Sequence, residues 1–222
     1  SLPVVKVGRL AGQYFKPRSK PIEIRDGIEM TSYLGDAVNA IEFDAGKRRP
    51  DPQRLIRAYH ASSAALNLVR AFTQGGYADL RQVHAWNQDF VRGSFAGQRY
   101  EAMAAEIERA LAFMHACGAD PEEFQRVEFY AAHEALSIDY ERALTRIDSR
   151  TGLPYDVSGH FLWIGERTRQ LDAAHVQFAS TIRNPIGVKV GPTASPDDIV
   201  ELARILNPDH VPGRLTLIRQ IF

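Results

Sequence analysis

A chain of 222 residues, 45% hydrophobic and 24% charged, has the make-up of a globular protein able to bury one good core or two small ones. Its 27 Lys+Arg balance 27 Asp+Glu, so there is no basic field to hold nucleic acid and no like-charge run to mark a membrane surface. No apolar stretch approaches the roughly 20 residues that span a bilayer, and the lone cysteine, Cys117, excludes an internal disulfide and fits a reducing cytoplasm.

The first element is a short strand near residues 4–8, in VVKVGR. The chain opens inside this strand pattern, with neither a Met nor a signal-peptide pattern, so a fragment or processed product is expected. Residues 13–50 show little periodicity and many turn formers (KPRSKP, RDG, LGD, DAGKRRPDP) and read as a long functional or disordered loop. Asp51-Pro52 then caps a helix whose stripe is Leu55, Tyr59, Ser62, Leu66 and Val69, ended by Gly75-Gly76. A second helix runs from about Gln98 to Cys117, with Tyr100, Met103, Ile107, Leu111 and Met114 as its inward stripe and Cys117 read as packing. VEFYAAHEAL fits strand or helix, and SIDYERALTRI reads as helix.

A regular rhythm follows. Strand 160–165 leads to a helix over 167–182 with Leu171, Ala174, Phe178 and Ile182 inward, and strand 186–190 follows the Asn184-Pro185 stop. Ser195-Pro196-Asp197-Asp198 starts a helix with Ile199, Leu202, Ala203 and Leu206 inward, and strand 214–219 comes last. Strands recurring about every 25 to 30 residues with helices between them predict a parallel sheet built from βα units. Four such strands make half of an eight-stranded barrel; a doubly wound sheet of four or five strands is the other option, although no glycine-rich dinucleotide turn is present. Half a barrel leaves open edges, which predicts that the chain is part of a longer polypeptide.

Cationic residues sit where these strands end. Arg9 and Lys16, seven apart in GRLAGQYFK, follow the first strand with Arg18 and Lys20 beside them, and Gly8 and Gly12 allow close approach of a ligand. The competing reading is a solvated basic loop. Glu166 and Arg167 stand where the strand of FLWIGER passes into a helix, and an Arg there opposes the helix dipole unless an anion answers it. The alternative is a surface pair, Glu166–Arg169 or Arg167–Asp172. Lys189 is the single charge in IGVKVGP, aimed at a ligand or snorkelling to an edge. Of Arg214 and Arg219, only the later one reaches a carboxyl end. In α/β folds ligands lie beyond those ends, so the cations describe a pocket for a small multiply anionic molecule, a phosphate ester first. His84, His133, His160 and His175 carry no metal spacing, and no nucleophile stands out.

GRLAGQYFKPRS, SSAALNLVRAF, VHAWN, RYEAMAAEIERALAFMHACG, AHEALSIDYERALTR, GHFLWIGERTRQLDAAH, NPIGVKVGP and PGRLTLI, in that order over nearly the whole chain, resemble the class II (plant-type) DAHP synthases. The resemblance implies a (β/α)8 TIM barrel with inserted extra helices, of which about half the strands are present. Residues 1–222 would form a single partial barrel domain, with 10–158 a loop and helical insertion. It implies condensation of phosphoenolpyruvate with erythrose 4-phosphate, the first step of the shikimate pathway, by a cytoplasmic homo-oligomer using a divalent metal such as manganese or cobalt.

Carried over by motif, Arg9, Lys16, Glu166, Arg167 and Lys189 are phosphoenolpyruvate-site residues, with Lys189 and Glu166 catalytic, and Arg219 is the candidate after the last strand. The family has two arginines six apart at that last place; here Arg214 and Arg219 are five apart and Gln220 takes the expected position. The family's metal ligands come from a cysteine before GRLAGQ and from His, Glu and Asp after RLTLI, so no metal ligand is expected in these residues. A catalytically inactive fragment that binds phosphoenolpyruvate or a full-length partner, and the same chemistry serving secondary metabolism, are the competing expectations.

Overall fold

A computed structural model describes residues 5–9, 14–75, 77, 95–118 and 127–219. Val4, Gly12, Gly76, His84 and Gln220, which figure in the sequence reading, lie outside the described residues. The chain divides into two compact units, Val7–Ala65 with Tyr130–Phe222, and Ser1–Lys6 with Leu66–Phe129.

In chain order the elements are strands β1 (Val7–Arg9), β2 (Ile22–Arg25) and β3 (Ile28–Thr31), then helices α1 (Pro52–Gln74) and α2 (Phe95–Ala116). Next come β4 (Tyr130–Glu134), α3 (Ile138–Leu144), β5 (Thr145–Ile147), β6 (Pro154–Asp156) and β7 (Phe161–Ile164). A 3-10 turn (Glu166–Thr168), α4 (Ala174–Thr181), β8 (Ile186–Val190), α5 (Pro196–Leu206) and β9 (Leu215–Arg219) complete the chain.

One five-stranded sheet carries the larger unit, in the order β1-β4-β7-β8-β9, with every neighbouring pair parallel. Strand order follows chain order without reversal, so the switch point of a doubly wound sheet is missing from these strands. The sheet has one strand more than the four expected. The ambiguous stretch before Leu136 is a strand, β4, whose Ala131 to Glu134 are all buried. Burial on both faces removes the alternation that marks a strand in sequence.

Strand alternation divides the sheet into two faces. Leu162, Ile164, Ile186, Val188 and Val190 turn one way and form the core with Val176, Ala179 and Ile182 of the α4 segment and Leu202 and Leu206 of α5. The register Glu134↔Trp163↔Gly187↔Thr216 runs across the other face, with Lys189↔Ile218 one step beyond.

α5 forms as its sequence predicts: Ser195 and Asp198 make a reciprocal capping box, Pro196 opens the helix, and Leu202 and Leu206 are buried. The helix expected over 167–182 is shorter. Side chains of Glu166 and Arg169 are tied into the loop after β8, so the chain makes only a 3-10 turn and enters helix at Ala174. The later start rotates the stripe, burying Val176 and Ala179 and leaving Ala174 exposed.

The long segment before α1, read as a loop, contains a hairpin among its described residues. Asp26 (φ 51°) and Gly27 (φ 77°) make the turn that pairs β2 with β3 antiparallel, and positive φ at both central residues suits a hairpin's twist. Arg48, 2% exposed, then donates to the carbonyls of Thr31, Ile41 and Glu42 and pairs with Glu23, which ties the hairpin to the following loop.

In the second unit α2 starts at Phe95, before the expected Gln98, and ends at Ala116, and its apolar stripe is not buried: Met103 is 60% exposed, Ile107 43% and Met114 40%. The residues it buries are the small ones, Gly97 and Ala104. Cys117, expected in packing, is exposed. Among the described residues no helix is long and apolar enough to cross a membrane.

Candidate functional site

Three strands of the sheet place cations and a carboxylate around one indole. Lys189, on β8, reaches across to β4 and donates to Glu134 Oε2 at 3.0 Å. Trp163, on β7 between them, donates its Nε1–H to the same oxygen at 3.3 Å. Arg9, at the end of β1, holds its guanidinium 5.2 Å from the centre of the Trp163 ring, and Lys189 Nζ stands 5.5 Å from it. Both distances are within cation–π range. Arg9 and Lys189 therefore meet on the sheet face that helices α4 and α5 do not cover.

The burial pattern makes this arrangement more than a surface pair. Glu134's side chain is 10% exposed and Lys189's 39%, so the carboxylate is sheltered while the ammonium still reaches solvent. The alternative reading of Lys189, snorkelling away to an edge, is not what its contacts describe.

Gly165, directly after β7, is where the chain must pass Glu134. A Cβ there would lie 2.3 Å from Glu134 Oε1. A side chain there would push the carboxylate aside, as it would at Gly191, where a Cβ would lie 2.9 Å from the carboxyl carbon of Glu166.

Glu166 is held from the next βα loop. Gly191 N–H donates to it at 2.6 Å and the Thr193 hydroxyl at 2.8 Å, and Arg169 pairs with both of its oxygens at 3.1 Å. Partial burial alone would raise its pKa, but the hydrogen bonds from Arg169, Thr193 and Gly191 outweigh it and hold the carboxyl below its ordinary value. Glu166 and Arg169 do form the pair weighed in the sequence, with Arg169's side chain 11% exposed.

The other predicted cations differ. Arg167, next to Glu166, is exposed and makes no ion pair with another described residue. Lys16 is exposed in a loop pinned by its own N–H to the Leu34 carbonyl at 2.8 Å; no contact among the described residues carries its ammonium to Trp163. Arg219 pairs with Val190, so alternation turns it to the face opposite Lys189 and Ile218. Arg214 is buried at the start of β9 and donates to the carbonyls of Ala179 and Ile182 at the end of α4, a structural role. Neighbouring Arg18 donates to the Tyr33 carbonyl at 2.7 Å and so serves the loop.

Glu134 and Trp163 were not singled out in the sequence, and Arg169 was weighed only as half of a surface pair. Glu134 had a signal, a lone carboxylate in a run of small apolar residues, AAHEA, which needs a buried partner. Its neighbour His133 faces the other way and bonds Glu141 at 2.9 Å, inside the fold. Among the described residues no group of three or more His, Cys, Asp or Glu could hold a metal ion.

The model of the Class-II DAHP synthetase family matches residues 1–221 of the chain. The phospho-2-dehydro-3-deoxyheptonate aldolase of Streptomyces coelicolor is 65% identical over 218 residues, covering 98% of this chain and 48% of that protein. The phospho-2-dehydro-3-deoxyheptonate aldolase AroG of Mycolicibacterium smegmatis is 53% identical over 226 residues, covering 100% of this chain and 48% of that protein. The chain spans about half the length of the curated relatives it matches.

Proposed function

The chain belongs to the class II DAHP synthetase family, and from that premise we propose that it supplies the phosphoenolpyruvate-binding part of a DAHP synthase. The observation that carries this reading is the meeting of Arg9 and Lys189 at Trp163, with Lys189 held by Glu134. In this reading the five parallel strands are part of a (β/α)8 barrel, and the stretch between β1 and β4 is an insertion in it. The full enzyme is a cytoplasmic homo-oligomer.

The reaction joins C3 of phosphoenolpyruvate to the aldehyde carbon of erythrose 4-phosphate; water adds at C2 and inorganic phosphate leaves. Phosphoenolpyruvate brings a carboxylate and a phosphate, and rigid cations can neutralise and orient both groups. Lys189 and Arg9 are the first pair of cations. Arg167, exposed next to Glu166, is assigned as the third by motif, as are Lys16 and Arg219. Glu134 orients Lys189 by accepting its N–H, and Trp163 keeps water from one side of both cations. Gly191, Thr193 and Arg169 all donate to Glu166, so in this reading its role is to fix the two loops.

A divalent metal, manganese or cobalt, would polarise the aldehyde as a Lewis acid. The described residues offer no ligand cluster for it, and every role above belongs to side chains of this chain alone.

Trp163 gives a direct test. In the full-length enzyme, with Trp86 replaced by Phe to remove the other indole of this chain, phosphoenolpyruvate should produce a saturable change in fluorescence. The change should vanish in Trp163→Phe and weaken strongly in Arg9→Gln. No change at millimolar phosphoenolpyruvate in an active enzyme would contradict the placement.

A further inference from the structure

The geometry points to Arg169 as a positioning residue of this site, the charge that allows a carboxylate to be used as a strut beside an anion-binding pocket. The inference rests on the phosphoenolpyruvate reading and deepens it.

Glu166 joins the loop after β7 to the loop after β8 by accepting from Gly191 N–H and from Thr193. Those loops carry Arg167 and follow Lys189. The strut has an electrostatic cost, because a carboxylate held next to a site for a multiply charged anion repels it. Arg169 cancels that charge. Its Nε and Nη2 each lie 3.1 Å from a Glu166 oxygen, Nη2 also lies 3.1 Å from the Thr193 hydroxyl, and Nη1 stands 3.5 Å from Asp198 Oδ2. Asp198 is the N3 partner of the Ser195 capping box in the first turn of α5, so a single guanidinium connects the 3-10 turn, the loop after β8 and the helix that follows.

The guanidinium is suited to this and an ammonium is not. Its Nη2 donates to Glu166 and to Thr193 while Nη1 reaches Asp198, and the delocalised charge lies within ion-pair distance of both carboxylate oxygens. Its pKa is raised, by Glu166 first and Asp198 after, so the compensating charge is permanent. Arg169 does not touch the face shared by Arg9 and Lys189; it acts through Glu166.

The test uses the full-length enzyme with phosphoenolpyruvate as the probe, comparing Arg169→Gln, Arg169→Lys, Glu166→Gln and the double variant Glu166→Gln/Arg169→Gln. Arg169→Gln leaves an uncompensated carboxylate and loosened loops. Its KM for phosphoenolpyruvate should rise on the order of 10- to 100-fold, with a smaller fall in kcat. Arg169→Lys should recover part of the loss. The double variant should bind phosphoenolpyruvate better than Arg169→Gln, because the repelling charge is gone. A purely structural Arg169 predicts instead that the double variant is as poor as the single or worse, and that the losses track thermal stability.

Wild-type KM in a folded Arg169→Gln or Arg169→Lys enzyme, or no rescue in the double variant, overturns the inference and leaves the proposed function standing. A wild-type enzyme that does not consume phosphoenolpyruvate overturns both. Should Arg169→Gln not fold, the comparison of Arg169→Lys with the double variant decides by the same criterion.

Discussion

Lys189 Nζ lies 3.0 Å from Glu134 Oε2, an ion pair between two strands whose residues are 55 positions apart in the chain. β7 lies between those strands, and its Trp163 donates to the same oxygen. The pair is therefore built across a strand and over an aromatic ring. Its geometry depends on how closely Gly165 passes the carboxyl group.

Gly165→Ala tests that dependence. The added methyl would meet Glu134 Oε1 first, the far end of a side chain that can yield, so the fold should lose only about 1 kcal/mol. The displaced carboxylate no longer holds Lys189. The kcat/KM for phosphoenolpyruvate should fall at least tenfold, roughly 1.4 kcal/mol or more in transition-state stabilisation, while the melting temperature moves little. Equal loss of stability and activity would place the effect in the fold.

A second buried polar group, Asp156, lies at the end of β6. Burial first, and the neighbouring Glu141 second, push Asp156 up to about 7. Its folded-state pKa thus lies above its unfolded value, so the native protein holds a proton that the unfolded chain releases. Stability from this group is present in full below about pH 4 and is lost as pH rises through 7. Asp156→Asn keeps the acceptor for Ser158 N–H and removes the titration. The variant should match wild type near pH 4 and gain up to roughly 2–4 kcal/mol over it at pH 8, read from urea unfolding at both values. A constant difference between the two proteins across that range would contradict the assignment.

Arg214 separates a structural cation from a ligand-binding one. Truncating it to Ala strands the Ala179 and Ile182 carbonyls at the end of α4 and leaves a cavity. Destabilisation of about 2–4 kcal/mol is expected in denaturant melts, with an unchanged KM for phosphoenolpyruvate in whatever remains folded. A raised KM at full stability would move Arg214 into the site.

Much of this was legible in the chain because several local signals agreed. For β8 and α5, an apolar run broken by Lys189, a Ser-Pro-Asp-Asp cap and an amphipathic stripe all pointed to the same elements, and they formed as read. β4 was hidden because a strand buried on both faces has no period to see. The β2–β3 hairpin carried a legible Asp26-Gly27 turn, obscured by the charge density around it. Arg9 and Lys189 could be picked out as charges at strand ends, whereas Glu134 and Arg169 act through partners distant in sequence, which a single sequence does not pair. Arg219 stands at a strand end as read, and its pairing with Val190 turns it to the face opposite Lys189.

The central claim is that Lys189 is a ligand for phosphoenolpyruvate, and Lys189→Met in the full-length enzyme tests it most directly. Met keeps the bulk of the stem and removes the charge from Trp163 and Glu134. Loss of one charge-assisted contact should cost roughly 2–4 kcal/mol, a fall on the order of 30- to 1000-fold in kcat/KM for phosphoenolpyruvate, in a protein that remains folded. A folded Lys189→Met enzyme with wild-type kcat/KM would contradict the account.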